Sequence, residues 1–205
     1  MPNEPDMPPH LKAQRTRILI GAVALAIAML VMMFFGKTPT FGQTPPANQT
    51  KLNSGHMAAF VYKPEPSDLP AIKFVDAKGE ARSLADWKGK TVLLNLWATW
   101  CAPCRKEMPD LDKLQAELGG ATFEVVALGV DRGGVKAAEK FLEQVGTKRL
   151  ALYVDGTAKM ANELRVIGLP ATLLIDAQGR EVGRLLGPAD WASDDAKALI
   201  RSVMR

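Results

Sequence analysis

The chain contains two cysteines, three residues apart in Trp100-Cys101-Ala102-Pro103-Cys104. Thiols at that spacing can cross-link reversibly, hold a soft metal ion or act as nucleophiles, and their surroundings decide among these. The motif follows a nearly continuous apolar run, Thr91–Trp97. It opens a segment in which Cys104, Met108, Leu111, Leu114 and Leu118 recur at intervals of three and four residues. That pattern predicts a buried strand leading into an amphipathic helix that begins at the cysteines. The unpaired N–H groups and positive dipole end of a helix start favour a thiolate over a free thiol, whose ordinary pKa is about 8.5.

Cys101, at the mouth of the helix, is expected to be the attacking sulfur. Cys104, one turn in on the apolar face, is expected to be shielded and to resolve the mixed disulfide. Pro103 suits a first helical turn, where a missing N–H costs nothing. A purely structural bridge is disfavoured, because closing so short a loop removes little chain entropy. Metal binding is the competing chemistry. His10 and His56 fall outside the expected domain, and a closed zinc site needs four Cys or His ligands. Two thiolates could still hold Cu(I), which keeps a copper-binding chaperone module as an alternative. With no histidine in the domain, a Cys-His hydrolase lacks its base. No resident metal or cofactor is assigned.

The elements that must position the pair read as an α/β domain with a mostly parallel sheet. A hairpin is expected at 72–83, with a turn at 76–79 and Ser83 capping a short helical turn that carries Leu84 and Trp87. After the cysteine helix come a strand at 124–130, a helix at 135–145, a strand at 150–154 and a short helix at 159–164. Residues 171–175 and 181–186 form an antiparallel hairpin. A last helix, 189–204, turns Ala196, Leu199, Ile200 and Val203 inward.

Ahead of this domain, residues 18–35 carry no charged or strongly polar side chain, and as a helix would span ~27 Å, enough for a bilayer core. The run is longer than the core of a cleaved signal, and no small-x-small site follows it, so an uncleaved anchor is expected. Lys12, Arg15 and Arg17 precede it and only Lys37 follows closely, which keeps the N-terminus cytoplasmic. The expected order is a cytoplasmic stretch 1–17, a transmembrane anchor 18–35, a flexible linker 36–66 rich in Pro, Thr, Gln and Asn, and a folded domain 67–205. Most of the formal charge of +4 sits on those N-terminal lysines and arginines, so the basic balance indicates no nucleic-acid partner.

The stretch VLLNLWATWCAPCRKEMP, Val92 to Pro109, resembles the thioredoxin superfamily and, within it, the periplasmic TlpA-like group. The resemblance runs from about Leu69 to Arg205 and includes the closing run GPADWASDDAKALIRSVMR. It implies a thioredoxin fold, a mixed sheet flanked by helices, with an N-terminal hairpin extension. It also implies that Gly168-Leu169-Pro170 faces the cysteines with Pro170 in cis. The Leu169 backbone would then pair with an extended client segment, beside a surface formed by Trp100, Ala102 and Pro103, with Trp97 packed beneath.

In one respect the chain departs from thioredoxin itself, carrying Asn95 where thioredoxin has a buried acid. Asn95 then reads as a satisfied core amide or part of a proton relay. Glu107 is the nearest alternative acid, although a glutamate in the first turns of a helix is ordinarily solvated. Arg105 and Lys106 could strengthen the positive field or simply form a solvated face. The resemblance further implies a reductase without a prosthetic group, acting in one copy on cysteine pairs of copper-site proteins during cytochrome oxidase assembly. Its electrons would come from a DsbD-like membrane donor. CcmG-like reduction of apocytochrome c before haem attachment is the alternative client.

Overall fold

The computed structural model describes residues 52–204, which lie within one compact unit, Thr44–Arg205. The expected N-terminal stretch, the anchor 18–35 and the first part of the linker fall outside the described residues. Among those described, no helix is long and apolar enough to cross a membrane.

Eight strands form one mixed sheet: β1 Val61–Asp68, β2 Lys73–Asp76, β3 Ala81–Ser83, β4 Thr91–Trp97, β5 Phe123–Gly129, β6 Tyr153–Val154, β7 Ala171–Ile175 and β8 Arg180–Leu186. Their order is β1-β8-β7-β4-β5-β6-β2-β3. Central β4 is buried along its whole length, pairing in parallel with β5 and antiparallel with β7, which is why its sequence is apolar almost without a break. The helices are α1 Ala102–Leu118, α2 Gly134–Val145, α3 Met160–Glu163 and α4 Asp194–Arg201. A 3-10 turn at Leu84–Trp87 follows Ser83, whose N–H donates to the Asp86 carboxylate at 3.2 Å.

Alternation along β4 divides the core in two. Leu93 and Trp97 pack with α1, α2 and α4, through Met108, Leu111, Phe141 and Leu199 among others. Val92, Leu94 and Leu96 pack on the other side with Phe74, Trp87 and Met160. Asn95 shares the face of Leu93 and Trp97, so β4 turns a polar group toward α1.

Three sequence expectations require correction. Residues 52–66 are not flexible linker: a 3-10 turn at Gly55–Met57 buries Met57, Phe60 is buried beside it, and β1 pairs antiparallel with β8. His56 therefore belongs to the folded unit, with Nδ1 3.7 Å from the Asp190 carboxylate. The prolines misled because they read as tether, yet Pro64 and Pro66 occupy a bulge between Tyr62 and Ser67 on an edge strand, where no ladder N–H is needed. The expected strand 150–154 shrinks to Tyr153–Val154; at its expected start the Leu150 N–H donates to Asp112 Oδ1 at 3.0 Å, in line with those of Lys148 and Arg149 just before it. The last helix begins at Asp194 rather than 189, because Ser193 caps it through Ala196 N–H at 3.2 Å while Ala189 and Trp191 are engaged elsewhere.

Candidate active site

Cys101 is the N-cap of α1 and Pro103 lies in its first turn. The chain enters through a turn closed by Cys101 N–H donating to Ala98 O at 3.0 Å. A second hold is Thr99 N–H donating to Asp131 Oδ2 at 2.6 Å. A disulfide joins Cys101 and Cys104 across a Cα separation of 5.3 Å, and Cys104 N–H donates to Cys101 Sγ at 3.2 Å. One sulfur thus serves as redox atom and helix cap. Cys104 is fully buried; Cys101, expected at the mouth, is itself only 4% exposed.

The residues expected to form the client surface differ in exposure. Trp100 is 73% exposed, Ala102 and Pro103 are exposed, Leu169 is half-buried and Pro170 buried. The Leu169–Pro170 bond is cis. Leu96 pairs with Ala171, so the residues entering β7 lie at the end of the sheet where β4 runs out toward the cysteines. Ile167, three residues before Pro170, is a 93% exposed apolar side chain that was not singled out in the sequence.

Trp97 is fully buried and stacks on Phe141 with ring centroids 4.5 Å apart. Gly129, its register partner on β5, leaves the space: a Cβ there would lie 3.2 Å from the Trp97 ring. The Arg105 guanidinium is 4.6 Å from the Phe141 centroid and its nitrogens lie 3.4 Å from Gln144 Oε1, so Arg105 is tied to α2 while remaining exposed. Lys106 is exposed as well.

The expectation of a solvated Glu107 fails. Its side chain lies on the inner face of α1, three residues after Cys104 and four before Leu111, and the residue is 2% exposed. Oε1 accepts from Asn95 Nδ2 at 2.8 Å, while Oε2 accepts from Ala189 N–H at 3.2 Å and Trp191 Nε1–H at 3.3 Å. Asn95 Nδ2 also donates to Thr172 Oγ1 at 3.0 Å, across the β4–β7 register pair. Burial pushes the Glu107 pKa up to about 7, against the opposing pull of these donors, with a further upward contribution from Asp110.

The spacing 104-107-111 could have placed Glu107 on the buried stripe. Nothing local announces Thr172, Ala189 or Trp191, which come together only through the β4–β7 pairing and the chain's return before α4. Lys106, Asp110, Pro188, Ala189 and Asp190 line an open groove that reaches Glu107. Among the described residues, no group of three or more His, Cys, Asp or Glu side chains could hold a metal ion.

Chemically, the arrangement can exchange one disulfide for another at Cys101, with a buried acid titrating near neutrality one helical turn below Cys104. Comparison with known proteins agrees. The Redoxin family model matches residues 65–200. The thiol-disulfide oxidoreductase ResA of Bacillus anthracis is 35% identical over 120 residues, covering 58% of this chain and 68% of that protein. ResA of Geobacillus thermodenitrificans is 34% identical over 137 residues, covering 67% and 76%. A putative DsbE thiol:disulfide interchange protein from Chlorobium tepidum superposes with a TM-score of 0.61 at 27% identity, covering 68% of this chain and 96% of that one. A DsbF homologue from Corynebacterium diphtheriae gives 0.58 at 28%, covering 70% and 92%.

Proposed function

The chain belongs to the Redoxin family and is a thiol-disulfide oxidoreductase, and on that premise we propose that it works as a reductase of protein cysteine pairs outside the inner membrane. The Cys101 thiolate attacks one sulfur of a client disulfide. The client S–S bond breaks, its other sulfur leaves as thiolate, and a Cys101–client disulfide forms. Cys104 then gives up its proton and attacks Cys101. The client departs with both sulfurs reduced, and the chain keeps the disulfide, having lost two electrons.

Glu107 is the group that takes the Cys104 proton, with Asn95 completing the relay. The observation that carries this reading is a buried carboxyl group three residues after the resolving cysteine on the buried face of the same helix, its pKa raised by burial to about 7 and its oxygens met by hydrogen-bond donors. Trp100, Ala102 and Pro103 contact the client, and its extended segment pairs with the backbone of Leu169 beside Pro170.

The apolar run 18–35 anchors the chain in the inner membrane with the domain on the periplasmic side, where a DsbD-like donor restores the dithiol. The clients are cysteine-bearing copper-site proteins of oxidase assembly. Likeness to the DsbE interchange protein supports a second reading, in which the CcmG-like client is apocytochrome c awaiting haem.

Changing Cys104 to Ser removes the resolving sulfur and should leave clients covalently held on Cys101. The adducts should be released by dithiothreitol and missing from the Cys101→Ser chain. Recovery of the Cys104→Ser chain without any covalent partner would overturn the reductase reading.

A further inference from the structure

Every neighbour that the structure gives the Glu107 carboxyl group is an N–H donor: Ala189 N and Trp191 Nε1 at Oε2, and Asn95 Nδ2 at Oε1. Such a set suits a carboxylate, which only accepts. It does not suit the protonated acid, whose O–H must donate. A backbone amide and an indole cannot accept, but the Asn95 side chain can, because half a turn about Cβ–Cγ exchanges its nitrogen for its oxygen. The present Oδ1 is buried and has no hydrogen-bond partner, so the ionised arrangement leaves an acceptor unused. The other partner of Nδ2, Thr172 Oγ1 at 3.0 Å, is a hydroxyl able to accept from an N–H or donate to a carbonyl.

We infer that Asn95 is a positioning residue whose amide turns over when Glu107 takes up its proton. The bond from Asn95 Nδ2 to Glu107 Oε1 is replaced by one from the Glu107 O–H to Asn95 Oδ1, and the Thr172 hydroxyl rotates from acceptor to donor. This rests on Glu107 being the proton carrier for Cys104. One proton is gained by the carboxyl group and no covalent bond of the amide changes. Turning moves the Nδ2 hydrogens to the unpartnered position, a cost offset by removing two donors aimed at each other and by giving Oδ1 two donors in place of none.

The consequence is directional. A proton on Oε1 is held toward the β4–β7 pair, away from the groove lined by Lys106, Asp110 and Asp190. Asp110, on the same helix, disfavours the Glu107 charge, whereas the strand groups facing it, Asn95 and Thr172, are neutral. Because burial lifts the Glu107 pKa to about 7, the turnover falls within the working range of a thiol enzyme.

The test is nuclear magnetic resonance on the full-length chain, with 15N-labelled asparagine and 13Cδ-labelled glutamate. Five asparagines are present, and Asn95 is identified by its absence from the Asn95→Ala spectrum. Above the Glu107 midpoint, Asn95 Hδ2 protons should show a nuclear Overhauser contact to Thr172. Below it that contact should be lost, with the same midpoint as the Glu107 carbon. In the Glu107→Gln chain, Gln Oε1 must face the two donors at Ala189 and Trp191, so its Nε2 donates toward Asn95 and the contact should be absent at every pH.

A contact that persists unchanged through the Glu107 titration, or one retained in Glu107→Gln, overturns the inference while leaving the proton carrier intact. A Glu107 carbon that shows no titration between about pH 5 and about pH 9 overturns both.

Discussion

Glu107 keeps a proton at pH values where an ordinary glutamate has lost it, because its charged form has almost no access to water. Raising a carboxyl pKa on folding means that the native state binds more protons than the unfolded chain between the two values. The stabilisation this gives is complete below the unfolded value near 4.5 and is lost as pH rises through about 7. Urea unfolding of the wild-type chain should therefore weaken across that window by up to about 3 kcal/mol more than that of Glu107→Gln, which has no proton to lose. Equal pH dependence in the two chains would show that Glu107 ionises as an exposed carboxylate does. The cysteines were legible in the sequence because their spacing, the preceding strand and the following stripe all agree. Glu107 was not, because a charged residue on an apolar face is assigned to water unless its partners are seen, and two of the three, Ala189 and Trp191, lie more than 80 residues further along the chain.

At the scale of elements, β4, β7, β8 and α1 follow the periodicities written in the residues. Departures arise where side chains far apart in sequence claim the backbone: Asp112 takes the Leu150 N–H at the expected start of β6, and Glu107 takes the Ala189 N–H ahead of α4. The junction of β1 and β8 depends on Gly183, where a Cβ would lie 2.6 Å from the Phe60 ring and 2.6 Å from the Val61 carbonyl oxygen. A backbone oxygen cannot step aside as a side chain can. Gly183→Ala should cost about 1–3 kcal/mol in overpacking and separate the two strands, seen as lower thermal stability with faster amide exchange in residues 61–68. Unchanged exchange there would mean that β1 has room the structure denies it.

For the molecule as a whole, the folded unit extends well before the boundary that composition suggests. Met57 and Phe60 are completely enclosed, and burial of such side chains is worth about 1.5–3 kcal/mol each. A fragment starting at residue 69 should accordingly be less stable in urea than one starting at residue 52 by at least about 3 kcal/mol, before the lost β1 pairing is counted. Matching midpoints would show that residues 52–68 merely lie on the domain. The prolines that disguised β1 have an effect of their own. A strand from another molecule arriving at that rim would meet Pro64 and Pro66, two positions with no hydrogen to offer, and at the opposite rim β3 spans three residues. Both borders of the described sheet are poor templates for fibril growth, which works against edge-to-edge fusion of crowded molecules.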